Sequence, residues 1–181
     1  MYGLVNKAIK GLVLQHHDEA MWLKICEKAK FEEGDFLSIR SYPDDLTYRL
    51  VGAASEELKL SPDEILEFFG EYWILYTAQE GYREMIDISG STFPEFIENL
   101  DMLHFRVSNI MNELKPPMFK SRSIGEQKLE LEYHSDRPGL TSMVVGLLKG
   151  LGKRFNHEIE IQLVQKKTDN QLCDVFHVSW K

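Results

Sequence analysis

Apolar residues recur at helical spacing through the first two-thirds of the chain and at every second position in much of the last third. Leu4, Val5, Ile9, Leu12 and Val13 form a stripe that predicts a helix over residues 3–14. A similar pattern predicts a second helix over 18–30, with Asp18 as its N-cap. The turn Tyr42-Pro43-Asp44-Asp45 opens a third, capped by Asp44 or Asp45 and running to about Lys59. Ser61-Pro62-Asp63-Glu64 combines a capping box with proline at the first helical position. The helix it starts carries Phe68, Phe69, Tyr72, Trp73 and Tyr76, and Gly81 closes it. Leu100, Leu103, His104, Val107, Ile110 and Met111 share one face of a helix over 91–113, which Lys115-Pro116-Pro117 stops.

The period then changes. Leu129, Leu131 and Tyr133 alternate with Lys128, Glu130 and Glu132, which predicts a strand over 128–135. Residues 138–155 revert to helix, with Gly146, Gly150 and Gly152 embedded. Two further alternating runs, 158–164 and 175–180, flank a turn at Thr168-Asp169-Asn170-Gln171. The expected fold is α+β, a helical N-terminal portion followed by an antiparallel sheet with a packed helix. It is one folded unit, with subdomains over about 1–62 and about 63–181.

Composition narrows the function more than the fold. With 43% hydrophobic residues in 181, the chain can bury a sizeable core. A net charge of −8 argues against nucleic acid and anionic membranes as partners. No apolar run approaches the roughly 20 residues that span a bilayer, so no membrane insertion is expected. Lys7 and Lys10 interrupt the N-terminal apolar residues at helical spacing, which reads as a retained amphipathic helix, not a signal peptide. Two cysteines, Cys26 and Cys173, are too few for a disulfide framework or a zinc site, so a reducing cytoplasm is the default and neither takes a role. Acidic pairs at Asp44-Asp45, Glu32-Glu33 and Glu56-Glu57 read as solvated faces. No nucleophile–base arrangement, G-x-S-x-G, H-E-x-x-H or phosphate loop stands out, so no enzyme is expected.

The informative residues are Tyr133, Ser135 and Arg137, a Y-x-S-x-R run, with His104 about one helix length upstream. Alternate positions project from one face of an extended segment. Two hydroxyls and a guanidinium there suit two carboxylates held side by side. A neutral imidazole suits a metal. Haem needs both, an axial ligand and donors for two propionates. Taken singly, His104 also reads as a satisfied histidine on a helix face, and Y-x-S-x-R as a half-exposed strand ending in a surface arginine.

In order and spacing, the runs MYGLVNKAI, LVGAASEEL, FGEYW, NLDMLHFRV, the Pro116–Pro117 pair and YHSDRPGL resemble an H-NOX domain, the haem nitric oxide/oxygen binding domain that also forms the haem-bearing part of soluble guanylate cyclase. The resemblance covers essentially the whole chain. It implies haem b (protoporphyrin IX iron) between the subdomains, His104 as proximal ligand, Tyr133, Ser135 and Arg137 on the propionates, and Pro117 pressed against the porphyrin. Met1, Val5, Trp73, Leu103, Met143 and Leu147 complete the expected pocket. Oxygen-binding members place a tyrosine on the helix after the arginine, whereas PGLTSMVV here contains none. Expected ligands are therefore NO and, more weakly, CO, without stable O₂. The resemblance further implies that a weakened Fe–His bond lets the haem relax, signalling to an effector in trans such as a histidine kinase or cyclic-di-nucleotide enzyme. Three alternatives stay open: an O₂-binding haem sensor, a haem-free module for another apolar ligand, and a structural adaptor.

Overall fold

The computed structural model describes residues 1–32, 35–79 and 82–181. The order of elements is α1 (Gly3–His16), α2 (Glu19–Lys28), α3 (Asp44–Leu58), α4 (Pro62–Gln79), α5 (Arg83–Asp87), α6 (Phe93–Glu98), α7 (Leu100–Ser108), β1 (Met118–Gly125), β2 (Lys128–His134), α8 (Thr141–Arg154), β3 (Ile159–Gln165) and β4 (Asp174–Trp180). The α+β class holds. Helices fill the first two-thirds, and one antiparallel sheet of order β1-β2-β4-β3 follows.

Local chemistry explains most boundaries. Asp18 caps α2 by accepting from the Met21 amide at 2.9 Å. The capping box forms as expected: the Ser61 amide donates to the Glu64 carboxylate at 2.8 Å, and the Glu64 amide returns a bond to the Ser61 hydroxyl at 3.2 Å. Lys59 ends α3 in the left-handed conformation, φ 58°. Gly81, read as the close of α4, lies outside the described residues.

Two expectations change, and two elements were not expected. Neither Asp44 nor Asp45 caps α3, whose N-cap is Pro43 with no side-chain bond. Asp45 instead pairs with Arg49 one turn on, while Asp44 is drawn into a longer-range ion pair described below. The single helix over 91–113 is two, because Asn99 leaves the helical region with φ −94° and ψ 4°. A second break frees Ile110, which is exposed while Met111 is buried. The hairpin strand β1, with Arg122, Ser123 and Lys120 diluting its apolar alternation, and the short helix α5 carry too little periodicity to have been foreseen.

Two buried clusters share the long aromatic helix α4. One gathers α1 to α4 around Trp22, Phe36, Leu50 and Phe69. The other seats α8 and α6 on Leu129, Leu131, Tyr133, Phe176 and Val178 of the sheet. What allows α4 and α8 to touch backbone to backbone is a pair of glycines. A Cβ on Gly70 would lie 2.2 Å from the Met143 carbonyl oxygen, and one on Gly146 would lie 2.0 Å from that of Glu67. Lys149–Glu67 and Lys153–Glu71 pairs, each 2.5 Å, flank the crossing but are half-exposed and worth little. Gly146→Val should therefore destabilise the protein by about 1–3 kcal/mol or more through overpacking, lowering Tm by several degrees. Thermal unfolding followed by circular dichroism checks this. An unchanged Tm would mean that the crossing has slack the geometry does not suggest.

Candidate functional site

A largely apolar cavity of about 190 Å³ lies where the two clusters meet. Its walls come from α1, α3, α4, α7, α8, the Leu114–Pro117 connection and the adjoining β1 and β2. Of the residues singled out in the sequence, Met1, Val5, Trp73, His104, Pro117, Tyr133, Ser135, Arg137, Met143 and Leu147 all line it. Leu103 does not. It faces an adjoining cavity that shares His104, Trp73 and Leu147 with the first, because it precedes His104 by about 100° around α7.

His104 stands mid-helix on α7, its ring 5.8 Å from that of Phe119. Phe119 pairs with Tyr133 across the β1–β2 ladder, and their rings are 5.2 Å apart. Asp101, one turn before His104, accepts from the Phe119 amide at 2.8 Å and so ties α7 to β1. Burial pushes the imidazole pKa below its usual value, and Asp101 and the Pro117 backbone only partly oppose this. The ring is neutral at pH 7. Its Nδ1 is buried and has no hydrogen-bond partner among the described residues. A buried nitrogen left so is costly unless something outside the chain engages the ring.

The Y-x-S-x-R residues form a linked rim. Burial raises the Tyr133 phenol above its usual value, a hydrogen bond with Ser135 opposing, so the hydroxyl stays protonated as a donor. Ser135 Oγ accepts from the Arg137 amide at 3.1 Å, and Lys167 Nζ donates to the Ser135 carbonyl at 2.6 Å. The Arg137 guanidinium is already placed by two acceptors: Asp44 Oδ2 at 2.7 Å from Nε, and the Lys115 carbonyl at 2.7 Å from Nη1. Asp44 Oδ1 also accepts from the Met1 ammonium at 2.5 Å. Burial alone would raise the Asp44 carboxyl, but that ammonium and Arg137 hold it below the usual carboxylate range.

Sequence reading missed Asp44, Lys115 and Phe119. Asp44 lies 93 positions from Arg137 and reads locally as a cap. The Lys115 acceptor is a backbone carbonyl, which any residue would supply. Tyr2 and Tyr48 line the cavity, whereas Tyr72 and Tyr76 do not. The Tyr2 hydroxyl accepts from the Glu113 amide at 2.9 Å, and that of Tyr48 donates to the Pro138 carbonyl at 3.0 Å. His134 points to the other face of β2, with Nε2 2.9 Å from Glu132.

A neutral imidazole with one unpartnered buried nitrogen, an apolar body and a Tyr-Ser-Arg rim fit a flat cofactor with one axial metal site and two carboxylates. Comparison with known proteins agrees. A family model described as Haem-NO-binding matches residues 2–163. The chain belongs to the haem-NO-binding family. It is a haem-binding gas-sensor domain of that family. Soluble guanylate cyclase gcy-34 of Caenorhabditis elegans is 31% identical over 176 residues, 95% of this chain and 26% of that protein. Soluble guanylate cyclase gcy-32 of the same organism is 30% identical over 167 residues, 91% of this chain and 24% of that protein. The chain thus spans about a quarter of the length of these curated relatives. Among solved structures, an H-NOX protein from S. oneidensis in the Fe(II)NO ligation state superposes with a TM-score of 0.90, covering 100% of this chain and 99% of that one. At 18% identity it speaks for the fold alone. No helix among the described residues is long and apolar enough to cross a membrane.

Proposed function

We propose that this haem-NO-binding domain senses NO, and CO more weakly, with ferrous haem b held by His104 and by the Tyr133-Ser135-Arg137 rim. The observation that carries the reading is the neutral imidazole of His104, with its buried Nδ1 unpartnered among the described residues, at the wall of an apolar cavity rimmed by Tyr133, Ser135 and Arg137. Bound haem would supply an iron at which a diatomic gas can bind, with His104 as the side chain that would hold it. Trp73, Met143, Leu147 and Val5 offer a gas little to bond to, which suits NO and CO better than O₂, whose bound form needs a donor. Of the tyrosines on the lining, Tyr133 belongs to the rim, Tyr48 commits its hydroxyl proton to the Pro138 carbonyl, and Tyr2 accepts from the Glu113 amide.

The chain's own part in the switch is mechanical. While His104 is held, α7 is fixed at one end of the cavity, and the Asp101–Phe119 bond passes that constraint to β1. Pro117, on the connection into β1, keeps a rigid edge against the cofactor site. Release of His104 removes the constraint and lets α7 move against α1 to α4. Such a switch needs a real energetic difference between states: inverting a 1:99 population takes about 10⁴-fold preferential binding. A bond to His104 present in only one state supplies that kind of difference. The change is passed to an effector, a histidine kinase or cyclic-di-nucleotide enzyme, or a cyclase as in the relatives.

The visible spectrum of the haem-loaded protein, reduced without oxygen and then opened to air, tests the reading. A five-coordinate ferrous spectrum that never becomes an oxy spectrum, and that shifts on adding NO, is expected. A stable oxy complex would overturn the exclusion of O₂ and point to the Trp73 indole N–H or the Tyr2 hydroxyl as its donor.

A further inference from the structure

The sheet face turned away from the cavity carries a second constellation. Glu132 and His134, two apart on β2, project opposite to Tyr133. Because Tyr133 pairs with Asp174, the position facing His134 across the ladder is Cys173, just before β4. One ligand atom from each of Glu132, His134 and Cys173 lies within 4.8 Å of the others, and His134 Nε2 is 2.9 Å from the Glu132 carboxylate. A tetrahedral zinc ion with bonds of about 2.0–2.3 Å sets its ligands about 3.3–3.8 Å apart, so metal entry has to open the His134–Glu132 bond slightly and draw the three groups in around the ion.

We propose that Glu132, His134 and Cys173 form a binding site for a zinc-class divalent cation, with water in the fourth position. An imidazole–carboxylate pair on a sheet needs no metal, so the weight falls on the thiol and on what surrounds it. Cys173 is buried, and among the described residues its sulfur has only a long contact, 3.9 Å, with the Gln165 side-chain amide. Around the thiol, the carboxylates of Glu130, Glu132 and Asp174 outnumber the one nearby ammonium, that of Lys120. Asp174 is already committed to the Lys167 amide and the Thr141 hydroxyl, at 2.6 and 2.7 Å. Glu130 is committed to Arg122 and His177, at 2.7 and 3.2 Å. Glu132 and His134 bond to each other and so remain available together. Thiolate, imidazole and one carboxylate select zinc over calcium or magnesium, which want oxygen alone. As the metal–sulfur bond forms, the thiol proton passes to solvent. Counting two cysteines excluded a zinc site from the sequence; the fold supplies the missing ligands by pairing one of them with β2.

The test is zinc uptake by the haem-loaded chain, stripped by a chelator and dialysed against buffered micromolar free Zn²⁺, with zinc and iron measured separately. One zinc per chain is expected. Cys173→Ser and His134→Gln should each weaken binding by at least the about 10- to 100-fold that loss of an outer partner costs, with the haem spectrum unchanged. No uptake by the wild type would overturn the proposal. So would equal affinity in both variants, which would place the metal on surface histidines such as His16 and His17. The site lies on the far face of β2 from the cavity, so zinc uptake by the His104→Gly chain tests it even if haem does not bind.

Discussion

Replacing His104 with glycine should erase the five-coordinate ferrous spectrum of the haem-loaded protein, and added imidazole should restore it. The ring stands at the cavity wall with a buried, unpartnered nitrogen, and among the described residues no other histidine lines that cavity. Removing it leaves a slot of imidazole size beside Phe119, so a free ligand can take the same position without the covalent tether to α7. Restored coordination without restored signalling to the effector would separate the bond from the helix that it moves. The cost to the fold is modest, about 1 kcal/mol for glycine within a helix plus part of a cavity term. His134→Gln, on the far face of β2, should leave the spectrum untouched. An unchanged spectrum in the glycine variant would reject His104 as the axial ligand. The same burial has a pH signature in the haem-free protein. The folded-state pKa of His104 lies below its unfolded value, so the unfolded chain takes up this proton first. That cost is absent at high pH and grows as pH falls below about 6.5, and the variant should lose this slope.

Periodicity and local chemistry carried the reading of the fold wherever an element is amphipathic over several turns. The capping box at Ser61–Glu64 and the Asp18 cap form as their residue types dictate. The failures share a cause. Asp44 and Asp45 have the composition of caps, but a distant guanidinium and a nearby one claim their carboxylates, so long-range ion pairing overrides local preference. The glycines of α8 look like helix weakeners in sequence, yet Gly146 lets α8 lie against the α4 backbone. The candidate site was legible because its residues follow the two periods: Tyr133, Ser135 and Arg137 alternate along a strand and its continuation, and His104 occupies the inner face of a helix. What holds those residues in place was not legible. Asp44 and the Lys115 carbonyl reach Arg137 through tertiary contacts that no spacing encodes.

Arg137→Ala should speed haem loss by about 10- to 100-fold, the kinetic equivalent of losing one or more charge-assisted bonds of about 1.5–3 kcal/mol. Transfer of haem to an excess of an apo-globin acceptor, followed by absorbance, measures this. Arg137→Lys should recover little of the loss. One ammonium cannot at once reach Asp44, the Lys115 carbonyl and a cofactor carboxylate, as a planar fork does. Asp44→Asn separates placement from charge. It leaves Arg137 charged but loosens one of its two anchors, so haem loss should quicken less than in Arg137→Ala. Acid unfolding supplies an independent readout. The Asp44 carboxyl is depressed in the fold, so its stabilising contribution is full above its unfolded value of about 3.9 and is lost as pH falls through the lower folded value. Removing the guanidinium relaxes that depression, and the acid transition of Arg137→Ala should move to higher pH. A variant with a shifted acid transition but unchanged haem retention would show that Arg137 braces α3 against β2 without gripping the cofactor. Faster loss together with the shift would mean that one side chain does both, which is what its two occupied acceptors and its place on the cavity rim lead us to expect.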